Sequence, residues 1–361
     1  MSVAFWGGRR VLVTGHTGFK GGWLSLWLKQ LGAVVAGYSL PQPTEPGLFT
    51  VADVGRALDR HVVGDVRDLP ALESAIRDFR PEIVFHLAAQ PIVLDSYRDP
   101  VDTYATNVMG TANLLEAVRR VGGVQATVIV TSDKCYENRE QIWAYREHDA
   151  MGGHDPYSSS KGAAELVAAA FGRSFFYPGA GLGAVASARA GNVIGGGDWA
   201  PHRLAVDLMR GLMAGEKVVI RNPGAVRPWQ HVLEPLSGYL LVARCLIEGG
   251  EQPWEGWNFG PDDASAQPVL TVASRLCALW GAPEALTVAG DGQKPHEAGL
   301  LKLDSAKARV RLGWSPTWDL EKTLARTVDW YKAFSAGGDM WQVTNQQIDE
   351  YENALSLRFS I

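Results

Sequence analysis

Arg10-Val11-Leu12-Val13-Thr14-Gly15-His16-Thr17-Gly18-Phe19-Lys20-Gly21 decides the architecture of this chain. Arg10 to Thr14 is a short apolar run, the composition of a buried strand, and residues 18–31 read as the helix after it. Between them the glycines are spaced G-x-x-G-x-x-G. Glycine permits a tight turn and lets the backbone approach a pyrophosphate at the positive end of a helix. Taken alone, such a turn is as often a structural element. Strand, turn and helix in that order are the setting in which it binds a dinucleotide. Gly15, Thr17, Gly18, Phe19, Lys20 and Gly21 are therefore the candidate cofactor residues of the turn.

The alternation continues outward. Strands are expected at 34–38, around 62–63, and at 83–87, 126–131 and 184–190; helices are expected at 69–79, 101–121 and 157–176. Short apolar runs separated by longer helical patterns imply a parallel sheet covered on both faces. The expected fold is α/β, a Rossmann-like doubly wound parallel sheet with a smaller C-terminal α/β substrate lobe. Residues 1–191 form the dinucleotide-binding domain and 192–361 the second lobe, the two interleaving. In that lobe helices near 204–213 and 236–248 alternate with short strands near 218–221 and 257–259. The tail, 320–356, reads as two helices.

With 361 residues, 46% hydrophobic and 20% charged, the chain can bury a large core. A net charge of −5 and the absence of a basic run argue against nucleic acid. Cys135, Cys245 and Cys277 are too scattered for a disulfide framework or a zinc site, which fits a reduced cytoplasmic protein. The N-terminus runs straight into the first strand without a signal-type apolar segment, and no run approaches a membrane span. No cluster suggests a metal.

An acidic residue at the end of the second strand usually binds the adenosine ribose. Here the stretch is Ala36-Gly37-Tyr38-Ser39-Leu40, with no carboxylate. No Arg follows closely to favour a 2′-phosphate, so the expected cofactor is NAD, a choice the strand itself leaves open. Asp65 is a candidate for the adenine amino group, or a turn Asp. Leu87, Ala88 and Ala89 end the fourth strand, where small side chains let a cofactor cross the sheet or simply pack. Asn107 supports the site or is a buried helix Asn.

Ser132-Asp133-Lys134 follows the fifth strand, and Tyr157-Ser158-Ser159-Ser160-Lys161 comes about twenty residues later. A Tyr of pKa near 10 is a poor base at neutral pH, and a nearby ammonium favours its phenolate. Tyr157 and Lys161, four apart on a helix, share one face. A Tyr and a Lys at this spacing often form a plain surface pair; with a glycine turn and Ser132 they are equipment for hydride transfer. Asp133 and Lys134 exceed what a simple dehydrogenase needs. They point to further acid/base work on the oxidised substrate, with Lys134 as the base if burial and neighbouring cations leave it partly neutral.

Five blocks carry a family resemblance: VTGHTGFKGGWL (13–24), TSDKCYEN (131–138), YSSSKGAAEL (157–166), ARAGNVIGGGDW (188–199) and RPWQHV (227–232). The chain resembles, over essentially its whole length, the extended short-chain dehydrogenases/reductases of nucleotide sugars, and among them the 4,6-dehydratases that act on CDP-glucose. The resemblance implies tightly held NAD, regenerated at each turnover, and CDP-glucose or a related nucleotide sugar as substrate. It implies a homodimer pairing the helices at 101–121 and 157–176, and a role in deoxysugar supply for surface polysaccharide. It makes Tyr157 the base for the sugar 4-hydroxyl, while Asp133 and Lys134 serve water loss across C5 and C6. Thymidine-linked relatives carry Asp-Glu there, so Lys134 matches the cytidine-linked pattern. Asn192 and Arg227 are implied at the sugar and diphosphate, with Arg203 and His296 as further substrate candidates. A 4-epimerase is the rival enzyme, and a non-catalytic nucleotide sensor the rival of another class.

Overall fold

The computed structural model describes Met1 and residues 3–177, 179–220, 222–249, 254–288 and 300–358. Seven strands form its main sheet: β1 (Arg10–Thr14), β2 (Val34–Ser39), β3 (Arg60–Val63), β4 (Ile83–His86), β5 (Ala126–Val130), β6 (Ala184–Ala190) and β7 (Gly256–Phe259). Across the sheet they run β7, β6, β5, β4, β1, β2, β3, all parallel. The order reverses between β1 and β4, the place where open α/β sheets bind ligands beyond their carboxyl ends. The register puts Thr14 beside both Tyr38 and His86, so those ends lie level.

Alternation along each strand divides the core. Val11, Val13, Ile83, Phe85 and Val128 face one side, with α1 (Phe19–Gln30) and the later helices. Leu12, Val84 and Ile129 face the other, with α2 (Leu69–Phe79) and α3 (Gly110–Val121). Both faces are buried, which is why these strands read as continuous apolar runs. Trp23 and Trp27 of α1 are fully buried, each side chain worth roughly 1.5–3 kcal/mol or more of burial. Trp27 donates to Glu352 Oε1 at 2.7 Å, which ties the C-terminal helix Met340–Arg358 onto α1. α5 (Leu233–Glu248) packs against β5 and β6. Its buried Glu234 accepts from Thr317 N (2.9 Å), Trp318 N (2.7 Å) and Tyr351 (2.7 Å).

Two expectations change. The strand near 257–259 belongs to the main sheet, not to the second lobe: Trp257, Asn258 and Phe259 pair with Ala188, Arg189 and Ala190. Residues 101–121 are not one regular helix. Pro100–Tyr104 leads through a π-helical turn, Ala105–Met109, into α3. Among the described residues no helix is long and apolar enough to cross a membrane.

Candidate active site

The phosphate turn is built by close backbone approach. Gly15 has φ +75°, and a Cβ there would lie 2.6 Å from Ala88 N. A Cβ on Gly21 would lie 2.1 Å from Gly15 O. Any side chain at either position forces β1, β4 and α1 apart. α1 is preceded by Gly18, which offers no side-chain cap and leaves the first N–H groups of the helix to a ligand. Phe19 faces Gly195 of the second lobe, 3.3 Å from where a Cβ would stand. These features fit a dinucleotide pyrophosphate. Thr17 serves a different end: its hydroxyl donates to Leu40 O and meets Ser39 Oγ, both at 2.9 Å, bracing the turn against β2. His16 is buried beside Gly37 and bonds His61 at 2.7 Å. Burial and then His61 depress its imidazole to about 3.

Asp65 braces the turn after β3. Its carboxylate accepts from Arg67 N at 2.9 Å and pairs with the Arg67 guanidinium, whose hydrogen bond holds it below its ordinary pKa. Leu87, Ala88 and Ala89 stand half-buried at the end of β4, beside Gly15. Asn107 is fully engaged by the protein. Its Oδ1 accepts from Gln90 N (2.8 Å) and its Nδ2 donates to Gln90 O (3.1 Å) and Ser160 Oγ (2.9 Å). It ties the loop after β4 to α4 (Pro156–Phe175).

α4 begins where the sequence provides a cap. Asp155 accepts from Ser158 N at 2.9 Å, and Pro156 fills the first helical position. That start places Tyr157 in the first turn and Lys161 one turn on, both buried. Ser132, at the carboxyl end of β5, donates to Asp133 Oδ1 at 2.9 Å and hydrogen-bonds Tyr157. Burial pushes the Tyr157 phenol up to about 12; the Ser132 bond and Arg203 pull it down, and Asp133 adds to the rise. Burial brings the Lys161 ammonium down to about 8, opposed by Glu165. Burial also raises the Asp133 carboxyl, while Lys134, Ser132, Lys20 and Arg227 draw it back. Lys134 is exposed, its Nζ 5.9 Å from the Tyr157 ring centre. The burial expected of it is absent, because the turn Asp133–Cys135 sends Asp133 and Cys135 inward and Lys134 out.

Three more groups converge on this cleft from distant parts of the chain. Lys20, at the start of α1, is depressed to about 8 by burial and by Arg203 and Lys161, against Asp133 and Asp198. Arg203 pairs with Asp198 Oδ2 at 2.5 Å. Arg227 lies on the strand Val226–Pro228. Asn192, half-buried, follows Gly191, whose missing side chain leaves room for Asp133: a Cβ there would lie 2.7 Å from Oδ2. His296 lies outside the described residues. Sequence reading missed Asp198, Glu165 and Arg189. All three stand inside the quoted blocks, and for Glu165 and Arg189 a charge on the buried face of a helix or strand was the available signal.

Among the described residues no group of three or more His, Cys, Asp or Glu side chains is placed to hold a metal ion. The parallel sheet, the glycine turn and the Ser/Tyr/Lys set define a nucleotide-dependent oxidoreductase-type fold. Residues 11–252 match the NAD dependent epimerase/dehydratase family, and the chain belongs to that family. It is 53% identical over 356 residues to a CDP-glucose 4,6-dehydratase of Salmonella typhimurium, covering 97% of this chain and 98% of that one. The dTDP-glucose 4,6-dehydratase DesIV of Streptomyces venezuelae, solved with NAD bound, superposes with a TM-score of 0.76 at 27% identity, covering 91% of this chain and 99% of that one. The UDP-glucose 4-epimerase of Thermus thermophilus in complex with NAD superposes with a TM-score of 0.76 at 26% identity, covering 90% and 99%.

Proposed function

We propose that this chain is an NAD-dependent dehydratase that converts CDP-glucose to CDP-4-keto-6-deoxyglucose and water. The observation that carries this reading is the meeting of Ser132, Tyr157 and Lys161 with Asp133 and Lys134 in one cleft at the carboxyl ends of β4 and β5. The identity with the Salmonella enzyme supports the choice of CDP-glucose.

Bound NAD supplies a hydride acceptor at the sugar C4 and a hydride donor to C6. Tyr157 takes the proton of the 4-hydroxyl, with Ser132 holding that oxygen and Lys161 favouring the phenolate. The 4-ketone acidifies the hydrogen on C5, which Lys134 removes once the bound sugar covers its otherwise exposed side chain and so favours the neutral amine. Asp133, whose carboxyl pKa is raised by burial, gives a proton to the 6-hydroxyl as the C6–O bond breaks and water leaves. C5 then regains a proton as C6 is reduced, so the net reaction is loss of water. Arg227, and after it Arg203 with Asn192, are the groups we assign to the diphosphate and sugar, because a guanidinium pairs well with phosphate oxygens. Residues 1–191 carry the cofactor and 192–361 most of the sugar-nucleotide contacts.

A 4-epimerase on this fold has no step that requires Asp133 and Lys134, and a non-catalytic sensor has no use for an intact Ser/Tyr/Lys set. The exposed apolar side chains of Tyr97, Val101, Met109 and Leu166 suit a homodimer through these helices, in a cytoplasmic enzyme. The test is incubation with the CDP-, dTDP-, UDP- and GDP-linked glucoses and mass spectrometry. Loss of one water from the CDP sugar, with the others slower, supports the reading; no water loss from any of them refutes it.

A further inference from the structure

A buried polar network lies directly behind the catalytic helix. Tyr157, Lys161 and Glu165 are spaced by four on α4 and share a face. Glu165 is 4% exposed. Its Oε2 pairs with Arg189 at 2.7 Å and accepts from Ser187 at 2.5 Å, both on β6. Its Oε1 accepts from Thr131, the residue before Ser132. Arg189 reaches on to Tyr136 Oη at 2.7 Å and Glu147 O at 3.1 Å, and Tyr136 donates to Asn258 of β7 at 2.7 Å. Ser132, Asp133 and Lys134 are thus clamped between Thr131 and Tyr136, both held by one ion pair. That pair also anchors the helix that carries Tyr157 and Lys161.

We propose that Glu165 and Arg189 are positioning residues that hold the Ser132–Lys134 segment in register with Tyr157 and Lys161 and set the charge felt by the Tyr/Lys pair. The proposal rests on the roles given to Tyr157 and Lys161 above. The geometry explains why a charged pair sits where apolar packing could stand: one carboxylate with two oxygens accepts from three different strand positions at once. Glu165 is also the largest influence opposing the effect of burial on the Lys161 ammonium. The other groups facing the pair are Lys20 from α1, His86 from β4, Ser132 and Asp133 after β5, Asp155 on the cap, Arg203, and Tyr239 of α5.

The test uses the NAD-loaded enzyme and the pH dependence of hydride transfer and water loss. Glu165→Gln removes the anion one turn from Lys161, so the limb of the pH–rate profile set by that ammonium moves to lower pH, by about half a unit or more, and kcat falls at least tenfold. Binding of substrate and NAD stays within about threefold. The double variant Glu165→Gln/Arg189→Gln removes both charges and strands neither. Its limb returns to the wild-type position while kcat stays reduced. A limb unmoved in Glu165→Gln, with only thermal stability lowered, overturns the proposal. If Glu165→Gln does not fold, the double variant decides: kcat reduced tenfold supports the proposal and wild-type kcat overturns it. Failure of the underlying reading is seen separately, as absence of dehydration by the wild-type protein.

Discussion

Tyr157→Phe is the substitution that isolates chemistry from structure. The side chain is buried, and the ring that replaces it has the same shape. Removing the hydroxyl ends its hydrogen bond with Ser132, but Ser132 keeps Asp133 at 2.9 Å, so no buried group is stranded. One such bond contributes about 0.5–1.5 kcal/mol, against the roughly 5–15 kcal/mol that holds a typical domain together. The folded population is therefore almost unchanged. Activity loses a positioned proton acceptor, a factor of about 10²–10⁴, which corresponds to about 3–5 kcal/mol on the barrier. Single-turnover formation of dehydrated sugar, followed by mass spectrometry, measures the rate. Calorimetry with CDP-glucose measures binding, expected within about threefold of wild type. A Phe variant that turns over within a factor of two of wild type refutes the role given to Tyr157.

Lys134→Met should slow turnover at least tenfold and stall it after oxidation, with slow exchange of the C5 hydrogen with solvent deuterium; exchange at the wild-type rate means that another group is the base. Gly21→Ala places a Cβ 2.1 Å from Gly15 O, where only backbone can give way. The cost of about 1–3 kcal/mol should weaken NAD binding roughly 5- to 150-fold by titration calorimetry, and an unchanged affinity contradicts the geometry of the turn. Acid should unfold the protein early. Burial holds His16, His86 and His231 near 3, below their ordinary 6.5. Their stabilising contribution is complete above pH 6.5 and is lost as pH falls toward 3. By linkage each loses about 2 kcal/mol between pH 7 and 5. Glu234, raised by burial to about 7, works in the opposite sense and offsets about one of the three. A melting temperature unchanged from pH 7 to 5 contradicts this.

The sheet was legible because its central strands are buried on both faces and so read as unbroken apolar runs, RVLVT and ATVIV above all. The strand Gly256–Phe259 was misplaced because it is short, is set among Gly, Pro and Asp residues, and pairs with residues nearly seventy positions earlier. No local pattern records such a partner. The π-helical turn at Ala105–Met109 left no signal, since its residues suit a regular helix. In the site, Tyr157 and Lys161 were visible through spacing on one helix, and Ser132 through its place after a strand. The closeness of Lys20 to Arg203 and Asp198 was not visible, because about 180 positions separate Lys20 from that pair. Glu165 and Arg189, 24 positions apart, meet only when α4 lies across β6. Lys134 shows the limit within a legible motif: the residue was found, but its exposure depends on the short turn that carries it.

The central claim is that hydride leaves C4, is held by the enzyme, and returns to C6 of the same sugar while water is lost between. CDP-glucose deuterated at C4 tests it in one experiment. The account predicts a product lighter by one water that retains the deuterium, now at C6, with no accumulation of NADH. Deuterium lost to solvent, deuterium kept at C4 of an epimerised sugar, or an oxidised sugar with stoichiometric NADH would contradict it.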